Sequence, residues 1–263
     1  MKQKDVTVLV TGSSAPGFSS IVRSLKISTK YNIKIIASDW IDNIQGRYYA
    51  TKSFKLPDNR SSDFADSLLN ICEKEKVDVL LPIRTDDQIP ICQNLKAFES
   101  IGTVPVINTP NVETMKAAIN KLSMLEYLQQ ITGIQVMDYR VASSKDEFEK
   151  GLIELGYPDQ PIAIKPVHAS GSRGFRILDP TKDLKKLFFE EKPTNVFSTK
   201  EYVMDVLGDH FPKMLLMECL VDPEFSVDVL CYKGQLFASI ARKREKMKGG
   251  ITVEGVVEAA SRP

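Results

Sequence analysis

Short apolar runs alternate with amphipathic segments of helical length through the first third of the chain. The predicted strands cover residues 6–10, 33–37, 77–82 and 104–107, and each is an almost continuous apolar run. Such runs are typical of strands covered on both faces of a parallel sheet. A crossover helix is predicted before the third strand, because four apolar residues share one helical face: Phe64, Leu68, Ile71 and Cys72. The pattern therefore predicts βαβ units and an α/β fold.

The pattern changes near residue 110, where apolar residues begin to recur at spacings of three and four. This spacing predicts one helix over most of 111–131. Further strands are predicted at 135–141, 162–165, 174–178, 214–217, 225–231 and 236–241, with a helix that opens at Ser143. The last strands are joined by short turns that contain glycine, which favours antiparallel pairing. We therefore predict a domain boundary near residue 110.

Composition narrows the classes of protein to consider. The 263 residues carry 35 basic and 34 acidic side chains, a formal charge of +1, so no strong field attracts nucleic acid. No stretch is apolar enough to cross a bilayer, the N-terminus lacks the apolar core of a signal peptide, and the four cysteines form no C-x-x-C pair. These features predict a cytoplasmic protein with no structural zinc and no nucleic-acid or membrane partner.

The loop after the first predicted strand has the appearance of a phosphate-binding motif but departs from the known ones. Gly12 and Gly17 have the spacing of a Walker A loop, yet Phe18 occupies the position of its lysine. The run of Gly12, Ser13 and Ser14 also breaks the dinucleotide fingerprint. Backbone amides of the following helix are able to hold an anion, with Asp39 nearby at the end of the second strand. A tight turn that only lets the helix pack on its strand explains the glycines equally well.

A second candidate motif follows the strand at 162–165. Lys165 ends this strand, and a loop of small residues at 168–174 comes directly after it. A lysine beside such a loop can reach phosphate oxygens while the loop amides fold over them. The alternative is a hairpin whose Gly and Ser serve only the turn.

The segment 214–229 carries the most specific pattern in the chain. A strand ends in Glu218, an apolar connector follows, and Glu224 precedes the next strand. Together with the upstream lysines, this arrangement resembles the ATP-grasp superfamily, and most closely its carbamoyl-phosphate-synthase-like branch of carboxylate–amine ligases. The resemblance covers essentially the whole chain, including the stretches 81–87 and 120–121.

The resemblance implies an α/β fold in two parts. Residues 1–110 are similar to the pre-ATP-grasp, Rossmann-like βαβ domain. Residues 111–263 are similar to the α+β ATP-grasp domain, with a lid subdomain over about 132–213 and a C-terminal lobe that is cut short.

The resemblance also implies roles for individual residues. Glu218 would accept the adenine amino group, the backbone of Cys219 and Leu220 would contact the ring, and Glu224 would bind the ribose hydroxyls. The implied phosphate ligands are Lys121, Lys165 and the loop residues Ser170, Gly171, Ser172 and Gly174. Arg242 would act in catalysis by holding the acyl phosphate or the γ-phosphate. Ordinary structural roles remain open: a solvated helix face for Lys121, the start of a strand for Glu224 and a solvated basic stretch for Arg242.

The implied function is an ATP-dependent ligase that activates a carboxylate or bicarbonate as an acyl phosphate for attack by an amine. Magnesium is implied as well, but Glu254 and Glu258 do not match the metal-binding pattern, so we expect the metal ligands beyond residue 263 and a truncated chain that is inactive alone. The crevice around Gly12, Ser13, Asp39 and Asp86 is the predicted substrate site. A homodimer is a further expectation.

Two other interpretations belong to different functional classes. The chain is alternatively a nucleotide-binding module or partner subunit without catalysis. A Rossmann dehydrogenase is a third interpretation, and the broken fingerprint at Gly12 argues against it.

Overall fold

The computed structural model describes residues 3–42, 46–131, 133–169, 171–190, 196–220, 223–248 and 251–261. The chain divides into two compact units, Met1–Ile119 and Asn120–Pro263. The first unit includes helix α6 (Val112–Ile119), which lies beyond the predicted boundary at residue 110 and packs against α4 (Gln88–Gln93).

A parallel sheet forms the centre of the first unit. Its strands are β1 (Lys4–Thr11), β2 (Tyr31–Asp39), β3 (Lys52–Lys55), β4 (Val79–Pro82) and β5 (Val104–Pro105). They lie in the order β3-β2-β1-β4-β5, and each neighbouring pair is parallel. The predicted α/β fold with a parallel sheet is confirmed. The edge strand β3 escaped prediction because its four residues, KSFK, contain one apolar side chain.

Alternate residues of β1 face two different cores. Val8 and Val10 pack with Phe18 and Val22 of α1 (Phe18–Lys26), whereas Leu9 faces the opposite side. That second core is supplied by α3 (Phe64–Glu75), α4 and α5 (Leu95–Ser100). Both faces of the sheet are therefore covered, which explains the continuous apolar runs in the sequence. A short helix α2 (Gly46–Tyr49) and a 3-10 turn (Thr85–Asp87) complete the described elements of this unit.

The second unit contains a mixed sheet in the order β6-β10-β7-β8-β9. Its pairs are antiparallel except for β8 and β9, which are parallel. The elements are α7 (Lys121–Gln129), β6 (Tyr139–Ser144), α8 (Lys145–Glu154), β7 (Ile162–Pro166), β8 (Arg176–Leu178), α9 (Leu184–Glu190), β9 (Phe197–Ser198), α10 (Lys200–Leu207) and β10 (His210–Glu218). One face buries Ile164 and Leu216 against Phe148 of α8, and the other packs Leu215 against Leu122 and Leu125 of α7.

The prediction of one long helix over 111–131 is wrong, because Asn120 interrupts the helix between α6 and α7. Asn120 has extended backbone angles, and its side-chain oxygen accepts hydrogen bonds from the N–H groups of Leu122 and Ser123 at 3.0 and 3.1 Å. An asparagine that satisfies the free amides of a first turn is a favoured N-cap. Lys121 thereby becomes the first residue of α7.

Three antiparallel strands end the described chain: β11 (Phe225–Tyr232), β12 (Gln235–Lys248) and β13 (Ile251–Ser261). Strand β12 continues seven residues past its predicted end at Ala241. The basic stretch after that residue is therefore a strand paired with β13 instead of a solvated loop. None of the helices in the described ranges is long and apolar enough to span a membrane.

Candidate functional site

Lys165 lies in β7 on the face that α7 covers. It pairs with Leu215 of the antiparallel strand β10 and is half-buried. Its ammonium group has no hydrogen bond or ion pair to any residue in the described part of the chain. Burial lowers the pKa of Lys165, and the nearby charge of Lys121 lowers this pKa further.

Lys121 approaches from the first turn of α7. Its ammonium group donates to the carbonyl oxygens of Ala169, at 2.5 Å, and Val167, at 3.4 Å. Burial lowers the pKa of Lys121 as well. Two partly desolvated lysines therefore lie beside the start of the loop after β7. Backbone carbonyls accept hydrogen bonds from one of them, Lys121.

The loop after β7 adopts backbone angles that favour glycine. Gly171, Ser172 and Gly174 have φ angles of +62°, +57° and +72°, which are unfavourable for residues with a side chain. A Cβ at Gly174 would lie 2.6 Å from Cγ of Pro166, so the loop backbone passes directly over the end of β7. Ser170 lies outside the described residues. Successive turn amides in such a loop form concave anion sites in other proteins.

The predicted adenine connector begins where β10 ends. The N–H of Glu218 donates to the carbonyl of Asp138 at 3.0 Å, while its side chain is exposed. Cys219 is half-buried and Leu220 is 63% exposed. Glu218 follows Leu215, the partner of Lys165, by three residues, which is about 10 Å along a strand. Glu218 pairs with Ile162 at the start of β7, so the connector lies on the same sheet as Lys165 but at the opposite end of β7 from the glycine loop.

Glu224 and Arg242 each have a protein partner in the final sheet. Arg242 donates through Nε and Nη2 to Oδ2 of Asp228, at 2.8 and 2.7 Å. Glu224 forms an ion pair with Arg244, and its carbonyl accepts from the N–H of Arg244 at 2.8 Å. Arg242 lies within β12, which extends beyond the predicted strand at 236–241. Both predicted ligand roles remain predictions.

The predicted substrate residues of the first unit are divided between buried and open positions. Asp39 is 2% exposed and accepts from the N–H groups of Ser14, at 2.7 Å, and Ile41, at 3.2 Å. Ser13 is fully buried, and its hydroxyl has no hydrogen-bond partner among the described residues. Gly12 lines a narrow crevice, and Asp86 lines a wider cleft beside it. Asp39 therefore holds the backbone of the first loop, while Asp86 remains accessible.

Two residues within the stretch 81–87, Arg84 and Asp87, were assigned no individual role from the sequence. Asp87 is 4% exposed and accepts from Thr11 Oγ1, at 2.6 Å, and Asn59 Nδ2, at 2.9 Å. Burial raises the pKa of Asp87. The guanidinium of Arg84 lies 5.6 Å from the ring centre of Trp40. The only sequence signal was the polar run directly after β4, where ligand groups of parallel sheets gather.

The fold defines a class of protein: a parallel α/β unit followed by a mixed-sheet unit that carries two lysines beside a glycine-containing loop. Comparison with known proteins gives matches to two family models. Residues 8–107 match the family model "PylC-like, N-terminal domain", and residues 210–262 match "ATP-grasp in the biosynthetic pathway with Ter operon". The C-terminal part of the chain therefore matches an ATP-grasp family model, in agreement with the resemblance of its motifs.

The chain is also similar to individual curated proteins and, in fold, to solved structures. The chain is 22% identical over 89% of its length to formate-dependent phosphoribosylglycinamide formyltransferase of a Nitratiruptor species, of which it covers 53%. N5-carboxyaminoimidazole synthetase of Staphylococcus aureus complexed with ADP matches 95% of the chain and 57% of its own, with TM-score 0.60 and 14% identity. L-amino acid ligase of Bacillus licheniformis matches 98% and 55%, with TM-score 0.55 and 16% identity. The chain spans about half the length of the curated relatives that it matches.

Proposed function

We propose that this chain is the nucleotide-binding part of an ATP-dependent ligase that joins a carboxylate to an amine. In the proposed reaction a carboxylate oxygen attacks the γ-phosphorus of ATP, the bond to the β-phosphate oxygen breaks, and ADP leaves. The amine nitrogen then attacks the acyl carbon, inorganic phosphate departs, and the nitrogen loses a proton. The family models and the relatives named above support this class of reaction.

The pair of lysines at the loop after β7 is the observation that carries the proposal. Burial lowers the pKa of both Lys121 and Lys165, and neither has a carboxylate partner among the described side chains. Two such cations cost free energy in the absence of a ligand, because burial removes water and like charges repel. A polyphosphate between them would reverse both effects. Each charge-assisted bond to phosphate contributes about 1.5–3 kcal/mol.

The other proposed roles rest on the resemblance. The connector at Glu218, Cys219 and Leu220 would hold adenine, Glu224 the ribose, and the loop at 170–174 the phosphates. Arg242 would stabilise charge that develops on the transferred phosphoryl group, after release from Asp228. Few side chains need to transfer protons in this scheme, because positioning and electrostatic stabilisation supply most of the rate of phosphoryl transfer.

Magnesium is part of the proposal through the resemblance, a cytoplasmic location through the sequence features given above, and a homodimer as a further expectation. No group of three or more His, Cys, Asp or Glu side chains within the described ranges offers a metal site. The described residues therefore do not fit a complete magnesium site, and the proposed steps assign no role to a metal.

Calorimetric titration with ATP and ADP, with and without magnesium, tests the proposal. We expect saturable binding of both nucleotides by the purified chain. ADP release is then measured with mixtures of carboxylates and amines. ADP release that depends on a carboxylate would exclude a nucleotide-binding module without catalysis, and absence of nucleotide binding would refute the proposal altogether.

A further inference from the structure

A cleft of about 710 Å³ lies in the first unit, and none of its lining residues belongs to the proposed nucleotide site. Its size is that of an ordinary small-molecule pocket, for which about 300–1,000 Å³ is typical. The carboxyl end of β4 supplies Arg84 and Asp86, and the loop after β3 supplies Asp58 and Arg60. Trp40, directly after β2, forms an aromatic part of the wall.

None of the described carboxylates forms an ion pair with Arg84 in this wall. Its guanidinium lies over the Trp40 ring at 5.6 Å, and no described residue forms a hydrogen bond or an ion pair with it. Hydrogen bonds from Arg60 lower the pKa of Asp58, and burial raises the pKa of Asp87. The charge of Arg84 has a smaller, lowering effect on the pKa of each carboxyl group. Neither carboxylate forms an ion pair with Arg84 among the described residues. Arg84 is half-buried, so it has lost part of its water shell. A positive charge in that position is available to a ligand.

The neighbouring backbone makes room for Arg84 in particular. A Cβ at Gly12 would lie 2.5 Å from Cγ and 2.9 Å from Cδ of Arg84. The stem of the arginine therefore passes across the glycine of the first loop, and the Trp40 ring supports its head. A support on two sides fixes the planar fork before any ligand arrives, which lowers the entropy cost of binding an oxyanion.

The second arginine of the cleft differs in its charge balance. Arg60 donates through Nε and Nη2 to the two carboxylate oxygens of Asp58, each at 2.8 Å. The side chain of Arg60 is 87% exposed. Arg60 is therefore neutralised and solvated, whereas Arg84 is partly desolvated and has no ion-pair partner among the described residues. This difference makes Arg60 a matched control.

We propose that Arg84 anchors a small molecule through a carboxylate or phosphate group in the Trp40 cleft, and that it determines the specificity of this site. Arginine binds both kinds of group in a bidentate manner. Only the interpretation of the bound molecule as a substrate rests on the proposed ligase function. Binding to the cleft is independent of ATP and is tested without it.

Fluorescence of Trp40 reports on this cleft alone, because the chain contains one tryptophan. Wild-type protein is titrated with inorganic phosphate and, separately, with succinate at constant ionic strength. A saturable change in emission is expected with one of the two. Saturation by phosphate identifies a phosphate-bearing ligand, and saturation by succinate identifies a carboxylate.

Arg84→Gln is expected to weaken this binding at least about tenfold, as for the loss of a charge-assisted pair. Arg84→Lys keeps the charge but loses the planar fork, so its affinity is expected to lie between those of the wild type and Arg84→Gln. It replaces Arg84→Gln in the test if that variant does not fold. Arg60→Gln is expected to stay within about twofold of wild type. ATP affinity, measured by calorimetry, is expected to be unchanged in all three, so failure here is distinct from failure of the ligase proposal. Lack of saturation with both probes, or equal losses in Arg60→Gln and Arg84→Gln, would overturn the assignment.

Discussion

Two regions of the second unit differ in how the charge of their cations is balanced. Lys121 and Lys165, around the loop after β7, are close enough for the charge of Lys121 to lower the pKa of Lys165, and neither has a carboxylate partner among the described residues. Arg242 and Arg244, in β12, are each paired with a carboxylate, Asp228 or Glu224. The charges of Arg242 and Arg244 are balanced by carboxylates of the same sheet, so no ligand is needed to explain them. A bound anion would offset the desolvation cost of the lysines, so the proposed ligand site is expected to depend on them most strongly.

Lys165→Met should produce the largest effect on nucleotide binding. Methionine keeps the length and the apolar stem but removes the charge that would contact phosphate. ATP affinity is expected to fall by about 10- to 150-fold, as calorimetry would show. Thermal stability at neutral pH is expected to rise, because the variant no longer buries an unpaired ammonium group.

The pH dependence of stability follows from the direction of the Lys165 pKa. The folded-state pKa is below the ordinary value of 10.5, so between the two values the unfolded chain binds more protons than the folded one. Stability of the wild type therefore rises with pH across that window relative to Lys165→Met. The advantage of the variant should be greatest at neutral pH and should shrink toward pH 10.5.

Lys150→Met is the matched control, since Lys150 is 76% exposed on α8. The Lys150→Met substitution should change neither the ATP affinity nor the pH dependence of stability. Equal ATP affinity in Lys165→Met and Lys150→Met would remove the contrast between the two regions.

Gly174→Ala should have the next largest effect, on the loop that covers the lysines. The substitution places a Cβ at φ +72° and 2.6 Å from the Pro166 ring, which has little freedom to move. We expect a loss of about 1–3 kcal/mol in stability together with weaker ATP binding. Differential scanning calorimetry and an ATP titration measure the two effects.

Gly234→Ala separates the backbone cost from the steric one. Gly234 has φ +77° in the turn between β11 and β12, with no heavy atom within 4 Å of an added Cβ. It should lose stability through its φ angle alone and keep full ATP affinity. If both alanine variants lose stability equally and bind ATP equally, the contact with Pro166 has no role in shaping the loop.

The parallel sheet of the first unit was readable from the sequence because its strands are covered on both faces. Leu9, Ile36 and Leu80 are fully buried, and their neighbours along each strand are apolar as well. The final sheet lacks this signal. Val229 and Val257 are 58% and 59% exposed, and charged residues continue through β12, so periodicity alone ended that strand at Ala241.

The candidate sites were predictable to different extents for a related reason. Lys165 and its glycine loop are adjacent in sequence, so local spacing revealed them. The cap at Asn120 was hidden because its apolar neighbours continue the helical spacing across the break. Trp40 and Arg84 are 44 residues apart, and only the parallel order of β2, β1 and β4 brings their strand ends together.

Arg242→Gln should have the smallest effect of the set, and it tests the paired region directly. If Arg242 contacts the γ-phosphate, it must first leave Asp228, and an exposed pair of this kind contributes about 0–1 kcal/mol. ATP affinity is then expected to fall by up to about fivefold while ADP affinity is unchanged, as parallel titrations would show. Asp228→Asn frees the arginine and should leave ATP affinity equal or higher. A similar loss in both variants, for ATP and ADP alike, would mean that Arg242 serves only the pairing of β11 with β12.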